Sequence, residues 1–538
     1  MIRSRFSGIF GLVLVTSATL SAGPAQGAGV ALLPDFRPIG AADNNLRNPR
    51  LDALPGNAEL NLAPLNFAPG TNDRLVRGPN PRTLSNVISG GTGAKGQNGA
   101  TTDPVASAWL YVFGQFVDHD LDLESTPTTS PAIDIVVPAG DPNFKAGTHI
   151  DMTRDVRSHS TNTIVNTVAG YLDLSQLYGS TKDVAASLRN EDGTLKNSDD
   201  GSSLPVANGV FVTGDPRVME NPELIAVTTL FMREHNQWVG QLRKQHPDWS
   251  GDQLYEMARA ITTAEYQNVV YSEFLPVLVG NSIGAYGGYD ARVNAQVTQE
   301  FSTAAFRVGH SEVSDTQEGV DNNGNTVFTE SLGDAFHNTP AQDEANGFDP
   351  MLRAIGLDSS QATDVYAVGV LRNLLFAPLV GGDVDQIDLI AIDIQRERDV
   401  GLATLNQTRR ALGLPPYESF AQLTSDTVLQ QSFETLYGDI DKVDLFMGGL
   451  AEAHARGASV GPTFQTIIAR QFRALRAGDR FFWRNQAFDR ATASMIGGTR
   501  LSDIIKRNTD TTSIAAGVFV VPSGSRHTKP MVPHGVVD

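Results

Sequence analysis

The words Phe113-Gly114-Gln115-Phe116-Val117-Asp118-His119-Asp120 put an imidazole, an amide and carboxylates into an otherwise apolar segment. Within residues 106–123 the apolar side chains Trp109, Leu110, Phe113, Phe116 and Val117 recur at helical spacing. Gln115 and His119 are one turn apart and therefore share a face of that helix, while Asp118 and Asp120 flank the histidine and point elsewhere. Polar groups on such a helix are costly to bury without partners. Either they face water at a helix end, or partners for them lie elsewhere in the chain.

Outward from this segment, helical patterning dominates. Residues 222–245 and 252–278 alternate apolar and charged positions with a period near 3.6, and 364–377, 462–476 and 501–508 also read as helices. Strand-like runs are few and short, at 133–137 and 518–521. Residues 28–104 are rich in Gly, Pro and Asn, as in Arg77-Gly-Pro-Asn-Pro-Arg82, and read as an irregular arm laid over the body. No internal repeat is present. The expectation is a mainly α protein with one large helical domain over 105–510 and a tail over 511–538.

The 538 residues suffice for a large core. A net charge of −19 without a Lys/Arg-rich run argues against a nucleic-acid surface. The absence of cysteine excludes disulfides, a disulfide-linked dimer, thiolate metal ligands and cysteine nucleophiles. Arg3 and Arg5 precede an apolar stretch at 9–15 and the small residues Ala25-Gln-Gly-Ala28, the layout of a signal peptide over 1–27. The apolar run is too short to span a bilayer, and no later stretch is transmembrane in character. The mature protein is expected to be secreted or periplasmic.

Three further segments carry candidate partners. Gly214-Asp-Pro-Arg217-Val-Met-Glu220-Asn221-Pro222 is a turn entering a helix, with Pro222 suited to the first helical position. Its alternative reading is a solvated helix start, with Glu220 near the positive end of the dipole. Ala305-Phe-Arg307-Val-Gly-His310 sets a histidine on an apolar segment, where a hydrogen-bonded core residue is the ordinary alternative to a metal ligand. Asp388-Leu-Ile-Ala-Ile-Asp393-Ile-Gln-Arg396-Glu-Arg398-Asp399 interleaves charge with an apolar run and by itself would be an ion-pair network.

In this order the segments resemble the animal haem peroxidases, the family of myeloperoxidase, lactoperoxidase and peroxidasin. The resemblance runs from about Asp35 to about Asn508. It includes Tyr171-Leu-Asp-Leu-Ser-Gln-Leu-Tyr-Gly179, Arg233-Glu-His-Asn236, Asp444-Leu-Phe-Met-Gly-Gly-Leu-Ala-Glu452, Val460-Gly-Pro-Thr-Phe464 and Asp479-Arg-Phe-Phe-Trp483. It implies a haem b cofactor, hydrogen peroxide as substrate and a ferryl intermediate. The second substrate would be a small donor such as iodide, bromide, thiocyanate or a phenol, and a part in the response to oxidative stress would follow.

The same resemblance assigns roles. His310 matches the axial ligand of the haem iron. Asp393 matches its hydrogen-bond partner, at a position where the mammalian members carry asparagine, and Val400 stands where they carry histidine. His119 matches the distal base, Arg217 the distal arginine, and Gln115 a group that binds a distal water or halide. Asp118 and Glu220 match carboxylates that form ester links to the haem. Asn221 replaces the methionine of myeloperoxidase's sulfonium link, which disfavours chloride as donor. Arg307 and Arg396 match arginines that bind haem propionates. Asp120, Asp173, Ser175 and the Tyr171 carbonyl match a structural calcium site, with Ala169 in place of a threonine donor.

Two other readings accompany this one. The fatty-acid dioxygenases of the same superfamily use a tyrosine three residues before the axial histidine, and Arg307 stands there. A haem or adhesion protein without turnover would have no need of Gln115, His119, Arg217 and His310 together. His149, His159, His235, His246, His337, His454, His527 and His534 read as structural or surface residues.

Overall fold

A computed structural model describes residues 35–67, 75–90, 101–376 and 385–522, so the segment read as a signal peptide lies outside the described residues. Six helices frame the molecule: α1 (Trp109–Leu121), α2 (Pro222–Gln245), α3 (Gly251–Val269), α4 (Leu389–Asp399), α5 (Pro462–Ala477) and α6 (Leu501–Asn508). The described strands form only five two-stranded antiparallel pairs. The mainly helical, single-domain expectation holds.

Ten of the 13 residues of α1 are buried, because a helix apolar on nearly every side must be covered on nearly every side. Phe116 stacks on Phe231 of α2 at 5.1 Å between ring centroids, and Tyr266 of α3 meets both rings edge-on. Phe113 packs edge-on against Phe519 at 5.4 Å. The backbone N–H of Ser107 donates to the carbonyl of Phe519, and its hydroxyl to that of Val518. The core therefore extends beyond residue 510.

The ends of α2 follow from its sequence. Asn221 caps it by accepting from the N–H of Leu224, and Pro222 opens it without leaving a donor unpaired. Arg243 and Lys244 in the last turn complement its dipole. The helix α3 starts from a capping box of Ser250 and Gln253 and runs on through a π turn, Val270–Phe274, into Leu275–Leu278. A π turn rotates the face that follows it. Here Phe274 ends up at the cleft described below.

Two local expectations need correction. A helix over 364–377 is not formed: only Gly369–Arg372 is helical, and Leu374–Phe376 pairs as a strand with Asp385–Ile387. The run Leu374-Leu375-Phe376 is apolar without periodicity, which cannot separate a strand from a helix. Residues 518–521 make a single bridge, Val520 to Ala106, rather than a strand. The run at 133–137 does contain one, Ile135–Val136, paired with His149–Ile150.

Described residues of the segment before 105 are bonded to the body. The N–H of Glu59 donates to the carbonyl of Ile164, and that of Leu60 to Val297. Arg82 is fully buried, paired with Asp141 and Asp388 at 2.7 Å each. Its position on the helical turn Pro81–Leu84 ties the arm to the N-cap residue of α4.

Candidate active site

A cleft of about 1500 Å³, part of it open to solvent, lies between the C-terminal half of α1, the turn Pro216–Glu220 and the segment around His310. Leu110, Phe274, Phe306 and Val308 give it apolar walls. Gln115, Asp118, His119, Arg217, Glu220, Arg307 and His310 all line it, so residues nearly 200 positions apart converge as the sequence led us to expect.

On one wall Glu220 collects two donors. Its Oε2 accepts from Gln115 Nε2 at 2.9 Å and lies 3.5 Å from Nε2 of the buried His119. The amide of Gln115 is fixed from its other end by Asn221 Nδ2, at 2.8 Å. Burial alone would raise the Glu220 pKa, but the hydrogen bond and charge of His119, together with Arg217, bring it below its ordinary value.

Arg217 is bidentate to Asp215, with Nε to Oδ1 at 3.0 Å and Nη2 to Oδ2 at 2.6 Å. Nη2 also donates to the carbonyls of Asp122 and His119, at 2.8 and 3.4 Å. Asp215 went unrecognised in the sequence reading. Its signal was available: in Asp215-Pro-Arg217 the carboxylate accepts from the N–H two residues on, at 2.7 Å, an Asx turn. Asp118 titrates above its ordinary range because it is buried, with His119 and Arg217 opposing that rise.

On the facing wall Nδ1 of His310 is 2.6 Å from Oδ2 of Asp393, a fully buried residue of α4. Nε2 of His310 has no hydrogen-bond partner among the described residues. Burial pushes the Asp393 carboxyl up, but His310 and Arg307 outweigh it and hold it below the usual range. Arg307 Nη1 donates to Asp393 Oδ1 at 2.9 Å, its Nη2 to Glu124 Oε1 at 2.7 Å, and its Nε to the Ser302 carbonyl at 3.0 Å.

Arg396 is not among the residues that line the cleft. It is buried behind Glu124, 3.8 Å from Glu124 Oε2, and its Nη1 pairs with Asp155 and Asp399 at 3.1 and 3.0 Å. Glu124 was not singled out from the sequence. It lies just past the end of α1, where helical spacing no longer reports which face a side chain occupies.

Asp120 points away from the cleft. Its carboxylate accepts from the N–H groups of Asp173, Leu174 and Ser175, at 3.0, 3.1 and 2.6 Å, and from the Ser175 hydroxyl at 2.9 Å. These bonds hold Leu174 in the left-handed region, at φ 60°, which a non-glycine residue adopts only when over-determined. The Tyr171 carbonyl accepts from the Asp173 N–H at 3.0 Å. Asp173 Oδ1 is buried without a hydrogen-bond partner, and burial and the neighbouring Asp173 push the Asp120 carboxyl well above its ordinary range, against the bonds from Leu174 and Ser175. His235 is a core residue, its ring nitrogens 3.0 Å from the Tyr178 hydroxyl and from the Gly193 carbonyl.

The sequence model of the family "Animal haem peroxidase" matches residues 36–519. Peroxinectin A of Dictyostelium discoideum is 30% identical over 514 residues, covering 88% of this chain and 93% of its own. Eosinophil peroxidase of Homo sapiens is 31% identical over 556 residues, covering 90% and 76%. Among solved structures, peroxidase A from Dictyostelium discoideum superposes with a TM-score of 0.80 at 27% identity, over 90% of this chain and 99% of that one. A fatty acid alpha-dioxygenase of Arabidopsis thaliana reaches 0.76 at 19% identity, over 93% and 85%, a likeness of fold alone.

Proposed function

Because the chain belongs to the animal haem peroxidase family, a family of haem-dependent proteins, we propose that it reduces hydrogen peroxide to water and oxidises a small donor. The observation that carries this reading is the cleft itself: one histidine with a free ring nitrogen lines the same apolar-walled cleft as a second histidine and an arginine. The residues fit haem. His310, oriented by Asp393, would hold the iron through Nε2. Asp118 and Glu220, among the carboxylates on the cleft wall, would form the ester links, and Arg307 would meet a propionate.

Bound haem supplies the redox centre at which peroxide is reduced. The chain supplies proton handling and charge. His119 accepts a proton from the near oxygen of peroxide and returns it to the departing one. Arg217, kept charged and aimed by Asp215, offsets the negative charge that develops as the O–O bond breaks. Gln115, clamped between Asn221 and Glu220, orients a water or halide beside His119. Donors of this reading are iodide, bromide, thiocyanate or phenols, with chloride disfavoured by Asn221. Arg307, committed to Asp393 and Glu124, stands against the dioxygenase reading, which needs a tyrosine there.

Asp120, Asp173, Ser175 and the carbonyls of Ala169 and Tyr171 would hold a calcium ion. The unpartnered Asp173 Oδ1 beside a second buried carboxylate is what favours a cation there. Arg37 and Arg259 already supply positive charge to Asp173, so the ion's hold is weak. No helix among the described residues is long and apolar enough to cross a membrane. Export through the segment 1–27 completes the proposal.

The test is a stopped-flow absorbance record of the haem-loaded protein mixed with one equivalent of hydrogen peroxide. A rapid Soret change that reverts on addition of iodide or a phenol is expected. A spectrum that does not move, or that only bleaches, overturns the reading.

A further inference from the structure

Arg307 enters the cleft with each of its three nitrogens holding an acceptor, and one of those acceptors is a side chain with a second place to go. Glu124 is 7% exposed and lines the cleft. Its Oε1 holds Arg307 Nη2 at 2.7 Å. Its Oε2 is buried and makes no hydrogen bond. Arg396 Nε lies 3.8 Å from Oε2, and that nitrogen is likewise buried without a hydrogen-bond partner. An orphan acceptor and an orphan donor thus face each other across slightly more than hydrogen-bond distance. Around them stand more carboxylates than the cations can neutralise closely. Asp122, also on the cleft wall, has an unpartnered Oδ1, and Glu59 behind it has an unpartnered Oε1.

We infer that Glu124 is an internal competitor for the anionic edge of the cofactor: it occupies the arginine that a haem carboxylate needs, and yields by turning toward Arg396. The inference rests on the haem reading given above. An incoming carboxylate near Arg307 meets the charge of Glu124 unless that side chain moves, and like charges brought together at an interface are strongly penalised. The neighbouring Nε of Arg396 gives the displaced carboxylate a hydrogen bond that it lacks while it holds Arg307. Arg396 thereby acts on the cofactor through Glu124 rather than by touching it. Haem affinity is set in part by how readily Glu124 changes partner.

The experiment is an equilibrium Soret titration of apo protein with iron protoporphyrin IX and, separately, with its dimethyl ester, for wild type and Glu124→Gln. The amide keeps an acceptor for Arg307 and removes the charge. Tighter binding of the free acid by on the order of tenfold, with the dimethyl ester unchanged, is expected. Equal gains for both porphyrins would make the effect steric and overturn the inference. Unchanged or weaker binding of the free acid would make Glu124 a positioning residue for Arg307 and overturn it too. Glu124→Ser gives the same ordering if the glutamine variant unfolds early in a thermal melt. Failure of wild type and variants alike to bind either porphyrin would instead remove the haem reading itself, and this inference with it.

Discussion

His119 lies 3.5 Å from its nearest carboxylate, Glu220, whereas His310 lies 2.6 Å from Asp393. The first wall of the cleft is built from one helix and one turn, and its acceptors are the carboxylates of Asp215 and Glu220, the Gln115 amide and the carbonyls of His119 and Asp122. The second wall is assembled from three distant segments and closed by a chain of ion pairs, Asp393–Arg307–Glu124. A loosely held imidazole can exchange a proton with a substrate. A tightly held one presents a single nitrogen in a fixed direction. On the proposed reading, two identical side chains would take different chemistry from the firmness of their second contact.

The contrast fails most visibly if the loose histidine is dispensable. His119→Ala is expected to slow the reaction of haem-loaded protein with peroxide by about 10²–10⁴-fold, the range for lost proton transfer, as read by stopped-flow absorbance. A variant reacting at the wild-type rate would strip that wall of its role. Next comes the tight histidine. Asp393→Asn keeps a hydrogen bond and removes a charge, so the Fe(III)/Fe(II) potential should rise by on the order of 60 mV, a tenfold shift for one electron. An unchanged potential in redox titration would mean that Arg307 already cancels the carboxylate.

The second wall should also show its surplus of acid in a pH series. Burial pushes Glu59 up to about 8, against the hydrogen bond it receives from Ser302. The folded state then keeps a proton that the unfolded chain has lost above its ordinary value of 4.5. Stability therefore falls as pH rises from about 4.5 toward 8. Glu59→Gln should flatten that fall in the thermal midpoint, and a parallel decline in both proteins would place the charge elsewhere. The smallest effect is expected away from both walls: chelation of calcium should lower the midpoint by about 2–4 °C. A midpoint indifferent to chelator would leave Asp120 as a backbone cap alone.

The same contrast explains what the sequence made legible. Gln115, Asp118 and His119 share one helix, and Arg217 and Glu220 one turn, so their spacing carried their placement. The helical boundaries of α2 were equally plain, because its periodicity and its capping residues agree, and those of α6 followed from periodicity. The run 364–377 misled because its apolar residues do not alternate and its partner strand lies beyond it. Glu124 and Glu59 bear on the site only through tertiary contacts, and contacts between distant segments leave no local pattern, whereas Asp215 could have been read from its turn with Arg217. Arg396 was recognised as a partner of the site but not as standing behind a carboxylate, since spacing along α4 says nothing of what lies in front of it.

One contact bears on when such a protein can come into being. Phe113 sits in α1 directly against Phe519, and Ser107 is bonded to the backbone of Val518 and Phe519. During synthesis more than 400 residues separate the emergence of these partners, so the helix that carries His119 stays open underneath until the ribosome has passed position 519. Completion of the core beneath the cleft therefore waits on a segment that is made late.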